Sequence, residues 1–306
     1  MRNLQRNPRT ATIPTARGSC MLNAMSTTPI LEREEYVEQA YFFRAFRERL
    51  SDNQSAQDIL MRVHEELLSS TRLPYAVQFL CAEIKHTGLL ASGFIKLPHY
   101  FTPFQAFVIE QAEKETSRFT MPTALLVLER EATYRADKPT KAGLFVYHFE
   151  TIARNRLGYV DGFAAVAGDS MYDDAWRPFI GALARQVGDL DFADLVYLRS
   201  DLYVSEQRRT NPAYEPSMPP IFGEKEGKIA RASRKRDPLY LFAALQRQLG
   251  YPEVPKYKLR DDAKGKLEAM ENKLRELETR IKLAEGELRG NVDLSQFGKP
   301  EIFGDD

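Results

Sequence analysis

From residue 29 to 210 the chain repeats one pattern: a small polar residue, often a proline just after it, several turns with apolar positions three or four apart, then a break. A period of about 3.6 residues gathers the apolar side chains on one face, so each run predicts an amphipathic α-helix. Thr28 and Pro29 open the first, with Glu32, Glu34 and Glu35 in the turn where the helix dipole favours acids and Tyr36, Val37, Ala40, Phe43 and Leu50 along it. Ser55 and Asp58 predict the next start, ahead of Ile59, Val63 and Leu67. Further helices are expected from Pro74 to Gly88, from Thr102 and Pro103 with Phe104, Phe107 and Val108, from Pro122 through Leu125, Leu128 and Ala132, and from Thr140 to Gly158. Asp173 or Asp174 caps a run with Trp176, Phe179, Ile180 and Leu183 that stops at Gly188, and Asp191 precedes Phe192, Leu195, Leu198 and Leu202. Leu195 to Val204 carries enough β-branched and aromatic residues to leave a strand open there. The expected class is all-α: an antiparallel helical bundle or degenerate α-hairpin repeat body of about eight helices, followed by a C-terminal parallel coiled-coil helix.

Residues 263–288 carry the sharpest pattern. Ala263, Leu267, Met270, Leu274, Leu277, Ile281, Ala284 and Leu288 alternate at spacings of three and four, a heptad seam. With Leu267, Leu274, Ile281 and Leu288 at a, the g positions are Lys266, Lys273 and Arg280, and the e positions are Glu271, Glu278 and Glu285. A parallel in-register pair sets each g against the e five residues on, base against acid every time, whereas an antiparallel pair sets like against like. Self-association through Leu267, Met270, Leu274, Leu277, Ile281 and Leu288 follows, as a parallel homodimer, with a trimer permitted by leucine at a. The competing reading folds this segment back on the body as an ordinary helix. Gly265 and Gly286 lower its propensity, but the charge sorting then has no purpose.

Around these elements the expected boundaries are a disordered basic N-terminal tail over 1–28, the helical body over 29–210, a Pro-rich and basic linker over 211–236, a short helix over 237–250, the coiled coil over 257–290 and a tail over 291–306. The first segment holds Arg2, Arg6, Arg9 and Arg17 with no acid, and Pro8 and Pro14 interrupt any helix; Met21 and Met25 are alternative starts. The linker has Pro212, Pro216, Pro219 and Pro220 ahead of its cations, while Asp237 and Pro238 cap the short helix that Gly250 closes. Locally, Gly158, Tyr159, Gly162, Asp169 and Trp176 follow an order that resembles the tetratricopeptide family of helical hairpins. Phe179 and Ile180 stand where that family has leucine and glycine, Leu183 replaces its tyrosine, and no period of about 34 residues runs through the chain, so its peptide groove is not carried over.

Composition narrows the function more than it names one. Lysine plus arginine equals aspartate plus glutamate at 43 each in 306 residues, so no global field draws in nucleic acid, membrane or acidic ligands. Two cysteines, Cys20 and Cys81, with no metal-binding spacing exclude a disulfide framework and suit a reducing, cytoplasmic location. No apolar run reaches the length of about 18 residues that a membrane helix needs, and residues 1–28 lack the apolar core of a secretory signal.

Candidate chemistry is sparse. Lys225, Lys228, Arg231, Arg234, Lys235 and Arg236 form a basic tract opposed within it only by Glu226, able to meet phosphates or another anionic ligand but without interleaved aromatics. Glu83 and His86 give one E-x-x-H pair where a di-iron bundle needs two, and His64-Glu65-Glu66 lacks the second histidine, position 68 being leucine. No nucleophile elbow, P-loop or dinucleotide fingerprint occurs. Cys81 and His86 point apart on one helix; Asp173, Asp174, Asp189 and Asp191 read as caps; Tyr100, Phe101, Phe104 and Phe107 read as core before pocket. No catalytic residue, cofactor or metal is assigned. The expected function is a cytoplasmic homo-oligomeric scaffold or adaptor for a protein partner, with nucleic-acid or anionic-ligand binding through 225–236 as the alternative.

Overall fold

A computed structural model describes residues 30–52, 54–114, 118–186 and 191–256, together with 270, 271, 273–275, 277, 278 and 281. The chain divides into two units, Met1–Tyr257 and Lys258–Asp306. Among the described residues it is all-α, without a strand. Among the described residues the first unit holds thirteen helices. They are α1 (Arg33–Ser51), α2 (Ala56–Glu66), α3 (Leu73–Thr87), α4 (Leu90–Lys96), α5 (Pro103–Glu113), α6 (Met121–Ala136) and α7 (Lys141–Asn155), followed by α8 (Tyr159–Ala167), α9 (Trp176–Gln186), α10 (Phe192–Leu198), α11 (Asp201–Thr210), α12 (Glu224–Ser233) and α13 (Pro238–Leu249).

The caps explain most of the boundaries. Ser55 accepts the Asp58 amide 3.2 Å away, and Thr102 and Gln105 form a reciprocal capping box that satisfies two orphan donors of α5. Thr140 receives the amide of Gly143, and Asp173, Asp191 and Asp237 cap α9, α10 and α13 through their carboxylates. Gly88 and Gly250 end α3 and α13 at φ 75 and 69, the left-handed region where a side chain would be strained. The first helix begins at Arg33; Thr28 and Pro29 lie outside the described residues. Leu195 to Val204 is helical, divided between α10 and α11 at Arg199 and Ser200, and Ser200 makes an isolated parallel bridge to Phe222.

Apart from α9 and α10, consecutive helices pack on one another, and α1 makes its main contact with α6, five elements on in the chain. Phe42, Phe43 and Phe46 supply the α1 side of the core. Further along, Phe145 of α7 lies within 5.3 Å of Trp176 and 5.5 Å of Phe179, ring centre to ring centre. The body has more helices than the pattern suggests because α4 and α8 are short and because α10 and α11 follow one another as a single apolar run.

The assignment of 211–236 to a linker is corrected. Phe222 is buried against Trp176 at 5.3 Å and Phe179 at 5.9 Å, and residues 224–233 are α12, packed on α10, α11 and α13. Its inner face is Gly227 and Ala230, with Glu226 also buried and Ile229 partly so, so a single large apolar residue marks it in sequence. After α13, Tyr251 and Val254 are buried and strap the chain across α6 and α7. The Tyr251 hydroxyl lies 2.7 Å from Glu150 Oε2, Asn155 donates to the Pro255 carbonyl at 3.1 Å, and Arg130 donates to the Glu253 carbonyl.

Two glycines make opposite predictions from one substitution. A Cβ on Gly227 would sit 2.8 Å from the Cβ atoms of Ser200 and Leu202, whereas Gly181 in α9 has open space around it. Alanine favours a helix by about 1 kcal/mol over glycine, so Gly181→Ala should raise stability by up to that amount. Gly227→Ala should lower it by about 1–3 kcal/mol as the helices are forced apart. Urea denaturation of both variants checks the signs.

Candidate functional site

The basic tract is not a free field of cations. On α12, Lys228 Nζ lies 2.7 Å from Glu224 Oε1 and Arg231 pairs with Glu206. Arg234 reaches Asp194 Oδ1 at 2.5 Å, and its guanidinium stacks 4.1 Å from the Tyr197 ring centre. Lys225, Lys235 and Arg236 are exposed, with no ion pair among the described residues, and the Lys235 amide donates to Asp191. The six cations share one stretch of chain, but half of them are balanced locally.

In the C-terminal unit, Met270, Leu274, Leu277 and Ile281 are helical and 64%, 57%, 46% and 56% exposed. At about 100° per residue these four fall within an arc of about 60°, a single apolar stripe. Lys273 and Glu278, one of the g–e pairs, are described; Leu267 and Leu288 lie outside the described residues.

Other sequence candidates resolve into structural roles. Glu83 Oε1 accepts from Lys96 Nζ at 2.5 Å and Ser92 Oγ at 2.6 Å, and these bonds hold its carboxyl below the usual range; His86 is exposed. Among the described residues no group of three or more His, Cys, Asp or Glu side chains could hold a metal ion. Cys81 is a buried thiol, and Tyr100, Phe101, Phe104 and Phe107 are all core.

No family model matches the chain, and no curated protein or solved structure is similar to it. The functional reading therefore rests on its own residues.

Sequence reasoning missed one polar cluster. Glu131 and Arg135 of α6, His148 of α7, and Asp169 and Tyr172 beyond α8 are buried together. Glu131 Oε1 lies 2.8 Å from Arg135 Nη2 and 2.8 Å from His148 Nε2. Arg135 Nη2 also bonds Asp169, and the Tyr172 hydroxyl lies 3.2 Å from His148 Nδ1. Phe104 stacks on the imidazole at 3.9 Å, and the Arg135 guanidinium lies over the Tyr36 ring at 5.9 Å. The sequence signal was positional: Glu131 and Arg135 fall on the α6 stripe that includes Leu128 and Ala132, where charge is unusual unless paired.

Burial alone would raise the Glu131 carboxyl, but Arg135 and the His148 bond outweigh it and hold the group at about 2. Burial likewise opposes the charge on Arg135, and Asp169 with Glu131 more than restores it. Neither of the two described cavities is lined by a member of this cluster. Its bonds join α6, α7 and the segment beyond α8.

An unfolded glutamate titrates near 4.3, above the folded value of about 2 for Glu131. Its stabilisation is therefore full above the unfolded value and is lost as pH falls towards 2. Stability measured by denaturation from pH 6 to pH 2 should fall more steeply in the native chain than in Glu131→Gln. At neutral pH that variant should be weaker by about 3 kcal/mol. Equal slopes would show that Glu131 does not carry the linkage.

Proposed function

We propose that the chain is a homo-oligomeric scaffold or adaptor of the cytoplasm, built from a closed helical body and a parallel coiled coil. The observation that carries this reading is the exposed stripe of Met270, Leu274, Leu277 and Ile281 on one helix face. Such a stripe on a solvated helix is costly unless a second surface covers it, and the heptad spacing suits a second copy of itself. Lys273 and Glu278 flank it at g and e, which favours the parallel register. The main contact of α1 with the distant α6 supports a closed bundle over an open repeat. Among the described residues no helix is long and apolar enough to cross a membrane.

The mechanism is presentation: two helical bodies are held at a spacing set by the seam, so weak contacts with a partner act together. Anionic-ligand binding through α12 has less support, since Lys228, Arg231 and Arg234 already face carboxylates.

Light scattering across a concentration series should give a dimer for the full chain and a monomer for a chain ending at Lys256. Leu274→Glu with Leu277→Glu should weaken the dimer more than about a hundredfold, each buried leucine contributing about 1.5–3 kcal/mol. A monomer in every case would overturn the scaffold reading.

A further inference from the structure

Between α4, α5 and α8 the surface opens into a cavity of about 520 Å³, inside the range of about 300–1,000 Å³ usual for ligand sites. Beneath it Phe94 and Phe101, each only 1% exposed, stack at 4.1 Å between ring centres, and the accessible apolar wall is made by Ile95, Pro98 and Pro103. Across from them α8 offers only Ala164 and Ala165, which leaves the space unfilled. At one end α8 comes close to α5, where a Cβ on Gly168 would lie 3.1 Å from Pro103 Cγ.

Three further observations point to an occupant. Gln111 lines the cavity, is only 8% exposed, and makes no side-chain hydrogen bond among the described residues. Its amide reaches the opening, so it has both a donor and an acceptor to offer. The lining carries three charges: Glu110 and Lys114 face each other at 3.9 Å, and Asp161 has no ion pair among the described residues. One negative charge is thus in excess. Finally, Ile95 at the cavity and Val160 beside Asp161 are 57% and 69% exposed, so apolar surface continues past the opening.

We infer that this cavity docks a short peptide segment of a partner protein, in which an aromatic or branched apolar side chain stands next to a lysine or arginine. The apolar side chain enters between Ile95 and Pro98 on one wall and Ala164 and Ala165 on the other, and the cation meets Asp161. Gln111 pairs with a peptide N–H and C=O, a two-point match that a main-chain amide supplies and a purely apolar ligand does not. The exposed rim suits an occupant that extends beyond the cavity. This inference rests on the adaptor reading and names the surface through which the adaptor would take its partner.

Panning a phage-displayed library of random dodecapeptides on the full chain tests it. Ala164 is exposed, so Ala164→Trp covers the cavity without entering the core. Sequences joining an aromatic or branched residue to arginine or lysine should be enriched on the native chain and absent on Ala164→Trp. A synthetic peptide of the consensus should bind about tenfold more weakly to Gln111→Leu and several-fold more weakly to Asp161→Lys. Because Gln111 has no protein partner to lose, Gln111→Leu should keep the native urea midpoint or exceed it. A lowered midpoint would mark a structural glutamine and overturn the assignment. So would the same peptides enriched on both chains, acidic consensus sequences, or no enrichment at all. The Leu274→Glu, Leu277→Glu chain, panned in parallel, separates the two readings: the same peptides enriched on this monomer show docking without the coiled coil, while a native chain that is itself monomeric yet enriches them removes the coiled coil and leaves the docking site standing.

Discussion

The Arg135 guanidinium, held between Glu131 and Asp169, is the contact on which the body depends. It ties α6 to the segment beyond α8, while His148 brings in α7 through the same glutamate. Charges withdrawn from water are stabilising only when their partners are well placed, so the cluster tolerates few arrangements of those helices. Phe104 on one side and Tyr36 on another extend that demand to α5 and α1. Apolar packing provides most of the driving force, but it is permissive about register. The buried ions are selective where the phenylalanines are not.

Much of the fold was legible because its signals are local. Ser55, Thr102, Thr140, Asp191 and Asp237 announce helix starts through a side-chain oxygen near an amide, and Gly88 and Gly250 announce ends through a backbone state. What failed was non-local. The α12 helix turns small residues inward and draws its burial from neighbours far off in the chain, so its charges read as a linker. Glu131 and His148 are 17 residues apart, and nothing in the spacing of either predicts that they meet.

The same distinction applies to the functional surfaces. Heptad periodicity is written along one segment and can be read residue by residue, so the proposed seam comes straight from the sequence. A cavity is a property of three helices and of the side chains that are too small to fill the gap between them. Phe101 and Phe107 were weighed as pocket or core, and they are both: buried in the body, with faces that line the opening.

The strap after α13 has a mechanical meaning. Tyr251, Glu253 and Pro255 are fastened to Glu150, Arg130 and Asn155, on the two helices that also hold Glu131, Arg135 and His148. Tension applied along the chain beyond residue 256 would reach the body first at these bonds to α6 and α7. A pull on the C-terminal segment would load Asn155, Arg130 and Glu150 before it reached α13.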